Sequence, residues 1–123
     1  MKFTSRILAP VAIAVTLAFG VAACAPAAEP VSISAETVVI DVRTPEEFAS
    51  GHLEGAINID VQSPSFDAMV SQLPTDGEYV IYCRSGNRSA SAIERLDGLG
   101  FTTLTNAGGV DAASAATGLP ITQ

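Results

Sequence analysis

Cys83 precedes a polar run, Arg84-Ser85-Gly86-Asn87-Arg88-Ser89, holding one glycine and two arginines within five positions of the sulfur. A thiol attacks as its thiolate, and nearby cations and backbone N–H groups favour that form. The residue types therefore point to an activated nucleophile in an anion-binding loop. A lone cysteine closing a strand is more often an inert small apolar residue. The glycine-containing loop and its arginines argue against that reading here.

Such chemistry requires the sulfur at the end of a strand and the loop at the start of a helix. There the strand's carboxyl end, the free amides of the first helical turn and the helix dipole converge on one point. The flanking sequence meets both requirements. Residues 78–83 (Glu-Tyr-Val-Ile-Tyr-Cys) are filled by β-branched and aromatic residues, a strand pattern. After the loop, Ala92, Ile93, Leu96 and Leu99 recur on one helical face, with Gly98 and Gly100 to end it. A persulfide on Cys83 would carry its charge on the outer sulfur, where loop amides can hold it with no metal and no organic cofactor.

The remaining elements alternate in the same way. Residues 37–41 (Thr-Val-Val-Ile-Asp) read as a buried strand, followed by a capping box in Thr44-Pro45-Glu46-Glu47 and a short helix through Phe48. Residues 56–60 read as a strand, and the spacing of Phe66, Met69, Val70 and Leu73 predicts an amphipathic helix over 66–73. A last strand is expected over 101–104, and Gly108-Gly109 should open an alanine-rich segment that ends before Gly118. The fold class is α/β, a central parallel sheet of about four to five short strands with helices on both faces. Sites in such sheets lie at the strands' carboxyl ends, where Cys83 falls.

The chain begins with Lys2 and Arg6 and an uncharged apolar stretch over residues 7–23, the layout of an export signal. Val21-Ala22-Ala23-Cys24 resembles a lipoprotein box, making Cys24 the lipidated residue. Cleavage after Ala25-Pro26-Ala27, giving a soluble secreted product, is the alternative. The expected organisation is a signal peptide over 1–23, a tether over 24–35 rich in Ala, Pro and Ser, and a folded domain over 36–123. The product would be exported and lipid-anchored, at the outer face of the cytoplasmic membrane or in the periplasm. Beyond the signal only four basic residues remain, all arginine, against thirteen acids, a formal charge of −9. That balance disfavours nucleic acid as a partner. Oligomeric state is not legible.

Cys83 through Ser89 resembles the active-site loop of the rhodanese family. Two further stretches agree in order: Asp41-Val42-Arg43 with Glu46-Glu47-Phe48, and Gly51-His52-Leu53-Glu54-Gly55-Ala56-Ile57-Asn58-Ile59. The resemblance covers residues 38–120. It implies a sulfurtransferase in which Cys83 takes sulfur from a small-molecule donor such as thiosulfate and passes it to an acceptor such as cyanide or a thiol. Arg84, Ser85, Gly86, Asn87, Arg88 and Ser89 would then form the substrate cradle, with Arg88 the better placed of the two arginines. Asp41, Arg43 and His52 read as structural, the first two pairing with one another or with Glu47. The family often has an aromatic residue shortly after the paired glycines, whereas this chain continues Val110-Asp111-Ala112, which implies looser packing near the pocket.

Three rivals compete. A tyrosine-phosphatase or arsenate-reductase loop also sets a cysteine against an arginine, but with one more residue between them than lies between Cys83 and Arg88. A thiol oxidoreductase would want a second, resolving cysteine. A non-catalytic binding or sulfur-sensing module could keep the same fold.

Overall fold

The computed structural model describes residues 29–123; the expected signal segment, Cys24 and the first part of the tether lie outside the described residues. Ten elements follow in order: β1 (Thr37–Asp41), α1 (Pro45–Ser50), β2 (His52–Leu53), β3 (Ile57–Asn58), α2 (Phe66–Val70), β4 (Glu78–Cys83), α3 (Asn87–Gly98), β5 (Thr103–Gly109), α4 (Val110–Thr117) and β6 (Ile121–Thr122). The main sheet has the strand order β3-β1-β4-β5, with every pair parallel. This is the expected α/β architecture. It puts β4, and therefore Cys83, between two neighbouring strands.

Residues alternate across the sheet because successive side chains of a strand point to opposite faces. On one face Ile40, Tyr79 and Ile81 meet Phe66 and Val70 of α2 and Ala92 and Leu96 of α3. On the other, Val39, Val80 and Tyr82 meet Leu53, Ala107 and Ala113 of α4. Each fully buried large apolar side chain contributes about 1.5–3 kcal/mol relative to exposure. Two interlocked layers thus hold β4 rigid up to its last residue.

Several boundaries differ from the sequence reading, each for a local reason. The last parallel strand is not 101–104 but Thr103–Gly109. Phe101 instead turns into the core, its ring edge-on to Tyr79 at 5.4 Å. Gly108 and Gly109 end this strand, opposite Tyr82 and Cys83, and the alanine-rich helix starts only at Val110. A register shift between Ile81 and Tyr82 leaves Ala107 as the extra residue of a bulge. The strand expected over 56–60 shortens to Ile57–Asn58, although the Ile59 and Val61 amides still bond the Asp41 and Val42 carbonyls at the end of β1.

The helix expected over 66–73 stops at Val70. Met69 and, just past the end of α3, Leu99 are 41% and 42% exposed rather than core. The folded unit also begins before Glu36: Val31 and Ile33 pack on the second core layer, and the Val31 amide donates to the Ala116 carbonyl at 2.8 Å. A two-stranded antiparallel sheet of β2 and β6, absent from the sequence reading, ties the chain end to the 51–55 turn. No helix among the described residues is long and apolar enough to cross a membrane.

Candidate active site

The first helix carries a supporting residue toward the site. Thr44 caps α1, its hydroxyl accepting from the Glu47 amide at 3.3 Å with Pro45 in the first turn. This fixes Glu47 so that its carboxylate receives both Arg88 nitrogens, at 2.8 and 2.9 Å. The Arg88 pair brings the Glu47 carboxyl down from 4.5 to about 2. A depressed carboxylate contributes stability above its unfolded value, and that contribution is lost as pH falls from 4.5 toward 2. Glu47→Gln should therefore lower stability by less than about 1 kcal/mol at neutral pH, because the pair is partly exposed. Urea midpoints of wild type and variant should converge as the pH is lowered through that window.

Asp41 and Arg43 form the buried brace beneath the neighbouring turn. The Arg43 guanidinium donates to both Asp41 oxygens, at 2.7–3.1 Å, and to the Gly51 carbonyl at 2.6 Å. Tyr82 accepts the Leu53 amide at 2.9 Å, and its phenol is pushed well above the ordinary range, chiefly by burial. His52 stacks on Phe48 with ring centroids 3.7 Å apart, its Nδ1 2.9 Å from the Phe48 carbonyl oxygen. These residues fasten the turn over 51–55, and Asp41 pairs with Arg43 rather than either pairing with Glu47.

Cys83 ends β4 fully buried, at 0% exposure. The chain then reverses through Gly86, whose φ of +94° suits glycine, and enters the twelve-residue helix α3. The Gly86 amide donates to Cys83 Sγ at 2.9 Å, and the Ser89 hydroxyl lies 3.5 Å from the same sulfur. Burial pushes the Cys83 thiol up. The Ser89 hydroxyl and the amides of Ser89, Ser85 and Gly86 outweigh it, and the thiol sits below its ordinary value. Sulfur, loop amides and helix N-terminus thus converge as the sequence required.

The loop rests on the end of β5. A side chain at Gly109 would run into the Arg84 carbonyl, and one at Gly86 would come within 3.4 Å of Gly108 Cα. Gly109→Ala should accordingly cost about 1–3 kcal/mol through overpacking and displace the loop, lowering both the urea midpoint and Cys83 reactivity. Gly98, with open space around its Cα, is the control: Gly98→Ala should leave both measurements at or above wild type.

Of the seven expected residues, Cys83, Ser85, Gly86 and Ser89 are brought together by these bonds. Asn87 is exposed and, with Arg88, Ser91 and Arg95, lines an open hollow of about 350 Å³ beside the start of α3. The two arginines differ in their partners. Arg88 is committed to Glu47, whereas Arg84 is exposed and makes no ion pair among the described residues. After Gly109, where the family often has an aromatic residue and looser packing is expected, Val110 packs against the second core layer and Asp111 is exposed. Sequence reasoning did not single out Glu47 as the Arg88 partner, nor Asn106 and Gly109 against the loop. Their roles depend on strand register.

The Rhodanese-like domain family profile matches residues 29–116. Thiosulfate sulfurtransferase PspE of Escherichia coli K12 is 38% identical over 72 residues, covering 58% of this chain and 68% of that protein. A sulfurtransferase of Allochromatium vinosum is 36% identical over 86 residues, covering 70% and 78%. Among solved structures, a rhodanese with anions from E. coli superposes with a TM-score of 0.60 at 30% identity, covering 71% of this chain and 98% of that one. A loop that sets a lowered-pKa cysteine on a helix N-terminus, at the carboxyl edge of this parallel sheet, therefore stands in a chain that belongs to the rhodanese-like domain family.

Proposed function

We propose that this chain is a sulfurtransferase that carries sulfane sulfur on Cys83. The observation that carries the reading is the convergence of the Gly86 amide, the Ser89 hydroxyl and the start of α3 on Sγ. The relatives named as sulfurtransferases and the E. coli rhodanese solved with anions support it. With thiosulfate, the Cys83 thiolate attacks the outer sulfur and the S–S bond breaks. Sulfite leaves with the electron pair, and Cys83 becomes a persulfide. A nucleophile such as cyanide then attacks the outer sulfur, forming thiocyanate and returning the thiolate. No proton need be held by a side-chain base, because a thiolate already below its ordinary pKa is the attacking group.

In this reading the amides of Ser85, Gly86 and Ser89 hold the charge that moves between inner and outer sulfur. Arg84 draws an anionic donor to the mouth, and Asn87 and Arg88 shape the rim. Phosphoryl transfer is disfavoured because the loop is one residue short of the phosphatase ring and Arg88 is held by Glu47. Two half-reactions on one sulfur require ping-pong kinetics. Thiocyanate formation at varied thiosulfate and cyanide should give parallel double-reciprocal lines; intersecting lines would mean a ternary complex and count against a covalent carrier.

We further propose that the domain works outside the cytoplasm, held at a membrane by lipid on Cys24, on the strength of the apolar stretch over 7–23 and the Val21-Ala22-Ala23-Cys24 box. Wild type should partition into the detergent phase and Cys24→Ala into the aqueous phase. Equal aqueous partitioning would favour plain cleavage and a soluble product.

A further inference from the structure

Asn106 lies on β5, the edge strand of the sheet, two residues ahead of the paired glycines. Its side chain, exposed at the sheet edge, reaches the sulfur loop. Oδ1 accepts the Gly108 amide at 2.9 Å, which fixes the orientation of the carboxamide, and Nδ2 then donates to the Gly86 carbonyl at 3.3 Å. The Ser89 hydroxyl lies 2.8 Å from the same Oδ1, 2.9 Å from the Gly86 carbonyl oxygen and 3.5 Å from Cys83 Sγ. A hydroxyl has one proton to donate, so these three acceptors compete for it.

The competition is decided by what the acceptors already hold. The Gly86 carbonyl receives the Ala90 amide as well as Asn106 Nδ2, and Asn106 Oδ1 receives the Gly108 amide. Neither oxygen is left without a donor when the Ser89 proton turns away. The sulfur needs that proton most when it is a thiolate, and less when the charge has moved to the outer sulfur of a persulfide. We propose that Asn106 is a positioning residue for sulfur transfer: by satisfying the Gly86 carbonyl and offering Ser89 a second resting acceptor, it lets the Ser89 hydroxyl follow the charge on and off Cys83. The bulge at Ala107 is what brings Asn106 into reach, since it shifts the register of β5 between Ile81 and Tyr82. The proposal deepens the sulfurtransferase reading and rests on it.

The experiment reads the thiol directly and needs no sulfur donor. The rate of Cys83 alkylation by iodoacetamide is measured against pH for wild type, Asn106→Ala, Asn106→Asp, Ser89→Ala and the Ser89→Ala/Asn106→Ala pair. Asn106→Ala removes the Oδ1 acceptor 2.8 Å from the Ser89 hydroxyl while the Gly86 carbonyl keeps the Ala90 amide, so the proton is freer for the sulfur and the profile should move to lower pH. The alkylation rate below the midpoint should rise roughly threefold to tenfold, the scale of one hydrogen bond. Asn106→Asp is isosteric and serves as the variant that keeps the loop's shape; its anion should hold the Ser89 proton and shift the profile the other way, to higher pH. In the Ser89→Ala background Asn106→Ala should add little, because the route through the hydroxyl is gone. Unchanged profiles in Asn106→Ala and Asn106→Asp, with or without loss of stability, would overturn the proposal, as would an equal shift with and without Ser89. If the profiles shift as expected but thiosulfate leaves no sulfur on the protein, it is the sulfurtransferase reading that fails.

Discussion

A Cys83→Ser chain is expected to lose thiocyanate-forming activity by roughly 10³-fold or more, because the group that makes and breaks both covalent bonds is gone. The fold should survive, since serine is near in size to the cysteine it replaces. The replacement does bury a hydroxyl at a position that is fully covered. The adjacent Gly86 amide, 2.9 Å from Sγ, supplies a donor for the new oxygen, so the unfolding free energy in urea should change by no more than about 1–2 kcal/mol. Activity and stability measured on the same preparation separate a lost nucleophile from a lost fold. Retained activity in folded Cys83→Ser protein would require another sulfur-bearing group.

The largest expected loss of stability lies elsewhere, at Arg43. Among the described residues its guanidinium is the only cation bonded to the buried Asp41 carboxylate, and it also binds the Gly51 carbonyl. Removing one partner of a buried pair leaves an uncompensated charge and typically costs about 3–5 kcal/mol. Arg43→Ala is therefore expected to lose that amount in urea unfolding, a large share of the ordinary margin of about 5–15 kcal/mol. The Asp41→Ala/Arg43→Ala double variant should recover part of it, because the stranded carboxylate goes too. A loss below about 1 kcal/mol in Arg43→Ala would mean that water reaches Asp41 and that the brace under the 51–55 turn is not buried in solution.

What the sequence made legible is what local chemistry decides. The β-branched run before Asp41, the Thr44 N-cap and the Cys83 strand are each specified by residues adjacent in the chain, and the structure forms all three. The glycine after Cys83 announces a chain reversal for the same reason. What could not be read depends on register and long-range contact. Residues 101–104 look like a strand because they are apolar and β-branched, but Phe101 finds a better place against Tyr79, and pairing with β4 continues through two glycines that favour no strand on their own. Arg88 reads only as a cradle residue because its partner, Glu47, is distant in sequence and is delivered by another helix. Asn106 gave no signal, because a carboxamide on an edge strand is ordinary until a bulge turns it toward the loop. Val31 and Ile33 read as tether because their neighbours are Ala, Pro and Ser, and composition over so short a window does not register two apolar side chains that meet a core.

One sulfur atom, Cys83 Sγ, is proposed to carry another. The direct measurement is the intact mass of the folded, reduced domain after incubation with thiosulfate, and again after cyanide is added. A gain of about 32 Da on wild type, absent from Cys83→Ser and removed by cyanide, is the result expected of a thiolate held by loop amides. Folded, reduced protein that gains no mass from thiosulfate or an organic persulfide would contradict the account and leave a rhodanese-like domain that binds or senses without transferring sulfur.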